Sequence, residues 1–167
     1  MMSETMQLAG AEAVSAHLPA QPGETFAMRA RLSEAEIRAF AISVHDFNPL
    51  HHDRAVALAA GYPAIIASGT QIGSFLMALT ATHFAQPLAD GTPRNGLGMG
   101  FEIRFRAVVL AEEDIELHWT VTSLERKDRL NGWIVQLNGT ARSARGLLLS
   151  ATGTLLLWLG ERTATAS

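Results

Sequence analysis

The sequence predicts an α+β domain in which a long curved antiparallel sheet packs on one buried helix. Two observations carry this. Gly69–Phe84 is helix-like, with Ile72, Phe75, Leu76, Met77, Leu79 and Phe84 spread around it and small residues between; a helix apolar on most sides is a buried one. Four strand-like runs then follow in series at 97–110, 114–126, 132–145 and 147–160. The last three, joined by short turns, read as an antiparallel meander.

Each element has a local reason. Glu24–Leu32 alternates, with Phe26, Met28 and Ala30 on one face, as a half-buried strand does. Ser33-Glu34-Ala35-Glu36 is a capping box that opens a short helix running to about Ile42. Asp53 can cap a second short helix, Arg54–Ala60, which Gly61 ends. In Phe101-Glu102-Ile103-Arg104-Phe105-Arg106 the alternation is strict. Gly96-Leu97-Gly98-Met99-Gly100 has the wrong spacing for a dinucleotide loop and reads as the start of a strand with a bulge.

Composition narrows the function. The chain has 167 residues, enough for one good core, and 48% of them are hydrophobic. Mean hydropathy is +0.14. That richness points to apolar surface buried against a like subunit, so a homodimer or larger oligomer is expected. No apolar run approaches the ~18 residues of a membrane span, so no membrane partner is expected. The start of the chain lacks a basic, long-apolar leader, and a cytoplasmic protein is expected. There is no cysteine, which removes disulfides and thiolate chemistry. The net charge is −3 with scattered basic residues, so nucleic acid is not an expected partner. Lys127, the only lysine, lies in a charged turn and is unsuited to Schiff-base chemistry.

The most informative segment is His45-Asp46-Phe47-Asn48-Pro49-Leu50-His51-His52-Asp53. Proline lacks an N–H and keeps the residue before it out of the α region, so Asp46 and His51 cannot share one helix. A turn can instead aim the carboxylate and the imidazole at one water, which is acid–base chemistry. His45 and His52 read as turn or surface histidines. The cluster matches no metal-ligand spacing, and no metal or other cofactor is expected. Ser68 lacks the Gly-x-Ser-x-Gly setting of a nucleophile and reads as a pocket-lining or capping residue. Arg104 and Arg106 read as solvated strand arginines.

Ser43, Asp46, Asn48, Pro49, His51 and Asp53, followed by Gly61-Tyr62-Pro63-Ala64-Ile65-Ile66-Ala67-Ser68-Gly69, resemble the signature of the MaoC-like hot-dog proteins, the (R)-specific enoyl-CoA hydratases. The chain departs from that pattern in having Ser68-Gly69 where many members have His-Gly, and Val108-Val109 where Pro-Val is usual. The resemblance implies a hot-dog fold over 23–160, after an N-terminal arm at 1–22 and before a flexible tail at 161–167. It implies Asp46 and His51 as the catalytic pair and Asn48 as the residue holding their turn. It implies the Gly69 N–H, with Ser68 beside it, as the place that receives a thioester oxygen. The implied activity is a hydro-lyase of fatty acid metabolism that adds water to a trans-2-enoyl thioester. Its substrate would be an acyl-CoA or an acyl carrier protein thioester. A thioesterase of the same fold and a non-catalytic acyl-CoA-binding subunit are the alternatives.

Overall fold

Helix α3 (Gly69–Phe84) lies against a single antiparallel sheet in the computed structural model, which describes residues 18–161. The strands are β1 (Thr25–Arg31), β2 (Arg94–Phe105), β3 (Asp114–Lys127), β4 (Gly132–Ser143) and β5 (Gly146–Leu159), in the order β1-β3-β4-β5-β2. The α+β hot-dog architecture is therefore present, with β3-β4-β5 as the expected meander. Helices α1 (Glu34–Ser43) and α2 (Arg54–Ala59) lie between β1 and α3. Most of the arm expected at 1–22, namely residues 1–17, falls outside the described residues, as do residues 162–167 of the tail. Among the described residues no helix is long and apolar enough to cross a membrane.

The core forms where α3 meets the inner face of the sheet. Ile115, Leu117, Trp119 and Val121 alternate inward from β3 and are buried, as the period of two on a strand requires. The Trp119 indole N–H donates to the Leu76 carbonyl at 2.8 Å and fastens the helix to the sheet. Gly139 makes room for that indole: a Cβ there would stand 2.6 Å from the ring. The helix is less enclosed than its composition predicts. Thr70, Ala78, Ala81 and Thr82 are exposed, so small side chains, not a second apolar layer, cover that face.

β2 also differs from expectation. It begins at Arg94 and ends at Phe105, not at 97 and 110. The Gly98/Gly100 bulge is present. After Phe105 the Arg106 and Ala107 N–H groups both donate to the Leu148 carbonyl of β5, which ends the regular ladder, and the chain then passes to another partner. The Ala67 N–H donates to the Val109 carbonyl at 2.8 Å, and the Ala111 N–H to the Ile65 carbonyl at 2.9 Å. This pairing, centred on the Ile66–Leu110 bridge, locks the segment that leads into α3 and fixes the backbone of the candidate site.

Candidate active site

The capping box forms as the sequence predicts, with the Glu36 N–H donating to Ser33 Oγ and the Ser33 N–H to Glu36. It sets the direction of α1, whose C-terminal end delivers Asp46. His45 follows the helix with φ +57°, a left-handed conformation that turns the chain back. The Asp46 N–H then donates to the Ala41 carbonyl at 2.8 Å. Asn48 holds what comes next. Its N–H donates to Asp46 Oδ1 at 3.1 Å, and its side-chain oxygen accepts the Leu50 N–H at 3.1 Å. Pro49 opens a one-turn 3-10 helix, Pro49–His51, where its missing N–H costs nothing.

That turn buries His51 and aims its ring. His51 Nδ1 lies 2.8 Å from the Ile66 carbonyl. A carbonyl only accepts, so Nδ1 carries the hydrogen, and in the neutral ring Nε2 presents a lone pair. Nε2 faces Asp46 Oδ2 at 3.5 Å. The two groups thus converge, too far apart for a good direct hydrogen bond and near enough to share a water with legs of about 2.8 Å. The Asn48 N–H is the main reason the Asp46 carboxyl is held below its ordinary value. Desolvation opposes this and is the next-largest influence; the nearby His51, the Ser68 hydroxyl and, most weakly, His52 add to the lowering. Asp46 is ionised at neutral pH.

Ser68 and Gly69 stand on the pocket side of the pair. Ser68 is buried and occupies the cap position of α3, but its hydroxyl makes no capping bond and instead lies 2.8 Å from Thr70 Oγ1. No other described residue accepts a backbone hydrogen bond from the Gly69 N–H, as expected for the first residue of a helix, where the dipole is positive. His51, Ser68 and Gly69 line a pocket of about 450 Å³ whose wall includes Ile72, Val109 and Leu149. Asp46 does not line this pocket; its carboxylate neighbours the lining residue His51.

The structure therefore brings Asp46, Asn48, His51, Ser68 and Gly69 to one place. Three features at that place escaped the sequence reading. The Ile66 carbonyl that orients His51 belongs to the backbone and leaves no residue signature. The Phe105 ring covers Gly69, where a Cβ would come within 2.7 Å of it; the strict alternation of β2 puts Phe105 on the inner face but does not say against what. His52 is half-buried, and its Nε2 lies 2.7 Å from the Asp46 carbonyl. Among the described residues, no three His, Cys, Asp or Glu side chains are grouped as metal ligands would be. Arg104 pairs with Glu102, whereas Arg106 contributes to the pocket lining.

The family pattern described as "MaoC like domain" matches residues 17–138. The chain belongs to the MaoC-like family. Comparison with curated protein sequences finds no match. Among solved structures, the chain is similar to the (R)-hydratase from A. caviae involved in PHA biosynthesis. The TM-score is 0.70 at 22% identity, covering 81% of this chain and 96% of that one. It is similar to the R-hydratase PhaJ1 from Pseudomonas aeruginosa, with TM-score 0.70 at 20% identity, covering 89% and 91%. It is also similar to the C-terminally truncated HadBC (3R-hydroxyacyl-ACP dehydratase) complex from Mycobacterium tuberculosis, with TM-score 0.67 at 20% identity, covering 83% and 99%. At these identities the likeness establishes the hot-dog fold.

Proposed function

We propose that this protein is a hydro-lyase that adds water reversibly across a trans-2-enoyl thioester to give a (R)-3-hydroxyacyl thioester. The observation that carries the reading is the convergence of Asp46 Oδ2 and His51 Nε2, 3.5 Å apart, beside a pocket that Gly69, the first residue of α3, also lines. The A. caviae and P. aeruginosa neighbours, both named as R-hydratases, support the reaction class and its handedness.

The steps follow from the groups present. A water between Asp46 and His51 donates its hydrogens to them. As its oxygen bonds to Cβ, one proton passes to the pair and the Cα–Cβ π electrons shift toward the thioester. The negative charge gathers on the thioester oxygen at the Gly69 N–H, where an unpaired donor and the helix dipole stabilise it. The proton then passes to Cα from the same face, and the pair ends as it began. Ser68 lines the thioester end of the pocket, and Asn48 keeps the carboxylate aimed. The buried aliphatic wall receives an acyl chain. The acyl group is carried by coenzyme A or an acyl carrier protein.

The protein is further proposed to act as a homodimer or larger oligomer. The edge strand β2 leaves Leu97, Met99 and Phe105 exposed, and an unpaired apolar edge is covered in a stable protein. Sedimentation at micromolar concentration is expected to show a species larger than the 17.9 kDa chain; a monomer alone refutes this part.

Incubation with crotonyl-CoA tests the function. Loss of the enoyl absorbance without release of free thiol is the expected result. Thiol release would make it a thioesterase, and binding without turnover a non-catalytic acyl-CoA subunit.

A further inference from the structure

We infer that His52 is a positioning residue, whose imidazole N–H grips the Asp46 carbonyl and sets the gap between the Asp46 carboxylate and His51. The catalytic part of this inference rests on the hydro-lyase reading; the geometric part does not.

Asp46 lies in an irregular stretch between α1 and the 3-10 turn, so no helix or strand ladder fixes it. Three bonds do so instead. Its N–H reaches the Ala41 carbonyl and its carboxylate takes the Asn48 N–H. Its carbonyl lies 2.7 Å from His52 Nε2. A carbonyl only accepts, so Nε2 of His52 must carry the hydrogen. The neighbouring ring is the reverse: His51 bonds the Ile66 carbonyl through Nδ1. Two consecutive histidines are thus held as opposite tautomers. One ring faces the side chain of Asp46, and the other holds its main chain.

His52 is itself anchored. Its carbonyl accepts Arg38 Nε at 2.8 Å, and Arg38 is paired to Glu34 at 2.8 Å. Its ring is covered by Phe47, with centroids 6.4 Å apart and planes at 25°. The clamp therefore runs from α1 through Arg38 and His52 to Asp46. His45, one residue before Asp46, lies edge-on to the Phe47 ring with centroids 6.2 Å apart, and no described residue is clamped to Asp46 through its ring. Without the clamp, the turn after the left-handed His45 is free to carry the carboxylate away from His51. A displacement of about 1 Å costs on the order of 100-fold in a reaction that depends on alignment.

Two measurements test this. Nitrogen-15 NMR of the neutral imidazoles is expected to show His52 protonated at Nε2 and His51 at Nδ1. His52 found protonated at Nδ1 overturns the proposal, whatever the protein catalyses. Turnover of crotonyl-CoA is then compared in three variants. Gln places an amide N–H where His Nε2 stands, Asn places one nearer the backbone, and Phe keeps the ring without a donor. His52→Gln should stay within about threefold of the parent kcat. His52→Asn and His52→Phe should lose about 10- to 100-fold in kcat with KM little changed, since His52 does not line the pocket. Equal kcat in all three, or Gln no better than Phe, overturns it. Should His52→Phe fold poorly, Gln against Asn at matched thermal midpoints makes the same comparison. A parent with no turnover on any enoyl thioester refutes the hydro-lyase reading and leaves the tautomer result to decide the clamp.

Discussion

Two histidine–carboxylate pairs stand at the two ends of α3, and only one of them is open. At the N-terminal end His51 and Asp46 are 3.5 Å apart beside a pocket. At the C-terminal end His83 meets Glu24 at 2.6 Å, and Arg94 joins the same carboxylate at 3.2 Å. The remaining donors of Arg94 go to the carbonyls of Pro19, His83 and Gln86. Phe26 stacks on the His83 ring at 3.9 Å with planes 2° apart. The Glu24 carboxylate takes His83, Arg94 and the Gln21 N–H, so the cluster binds the beginning of β1, the end of α3 and the start of β2 into one joint. The same residue types stand 3.5 Å apart at the other end, beside a pocket. On the proposed function, chemistry belongs to the loosely paired end and stability to the tightly paired one.

The comparison breaks most sharply by substitution in the open pair. Asp46→Asn and His51→Ala are each expected to lower crotonyl-CoA turnover by at least about 1,000-fold. The double variant should be no slower than the worse single, because one water needs both groups. The thermal midpoint should move little in Asp46→Asn; His51→Ala empties a buried position and unpairs the Ile66 carbonyl, so its turnover is read per folded molecule. Near-parent turnover in a folded Asp46→Asn refutes the mechanism.

In the closed pair the effects should reverse. Arg94→Ala leaves Glu24 and three carbonyls without their cation and should cost about 3 kcal/mol in denaturant unfolding. Turnover per folded molecule should be unchanged. A stability loss below about 1 kcal/mol would mean that water replaces the guanidinium freely.

Gly69→Ala lies between the two cases. The new methyl must displace the Phe105 ring beside the proposed oxyanion donor. Turnover should drop about tenfold for about 1 kcal/mol or less of stability, read by kinetics and urea unfolding on the same sample.

The smallest effect is in the pH dependence. Burial alone would raise the Glu24 pKa, but the bonds from His83, the Gln21 N–H and Arg94 overcome it and hold it below 4.5. A depressed carboxylate contributes stability that is complete above its unfolded value and is lost as pH falls through the folded one. Glu24→Gln should therefore remove part of the acid-side loss of stability below about pH 4.5 and nothing of the acid limb of activity. An identical acid unfolding profile in parent and variant would place the sensitive carboxylate elsewhere.

Much of this was legible in the sequence where the cause is local. Ser33 and Glu36 announced a cap, Gly69–Phe84 the helix that packs on the sheet, and the Asn48-Pro49 interruption a turn that could bring Asp46 to His51. What stayed hidden depends on distant backbone. The chain past β2 turns from β5 to pair Val109 and Ala111 with Ala67 and Ile65, and no periodicity within 97–110 encodes that. Nor does the motif encode the acceptor for His51, or the hold of His52 on Asp46, which made His52 look like a surface residue. Pro19 and Arg94 meet across 75 positions of sequence, and neither residue type announces the other.

The strand order also has a kinetic meaning. β3, β4 and β5 pair with their sequence neighbours through tight turns at Asp128–Asn131 and Ala144-Arg145. By contrast, β1 must find β3 with Thr25 opposite Thr120, and the Ile65–Ala67 segment must find Val109–Ala111. Closing long loops costs entropy before any contact repays it, so the local hairpins should form early and the distant pairings late. The pocket beside His51 is made by the late pairings. Hydrogen exchange pulsed during refolding should protect the amides of β4 and β5 first. The Ala67 and Ala111 amides, which close the pocket, should gain protection in the last phase.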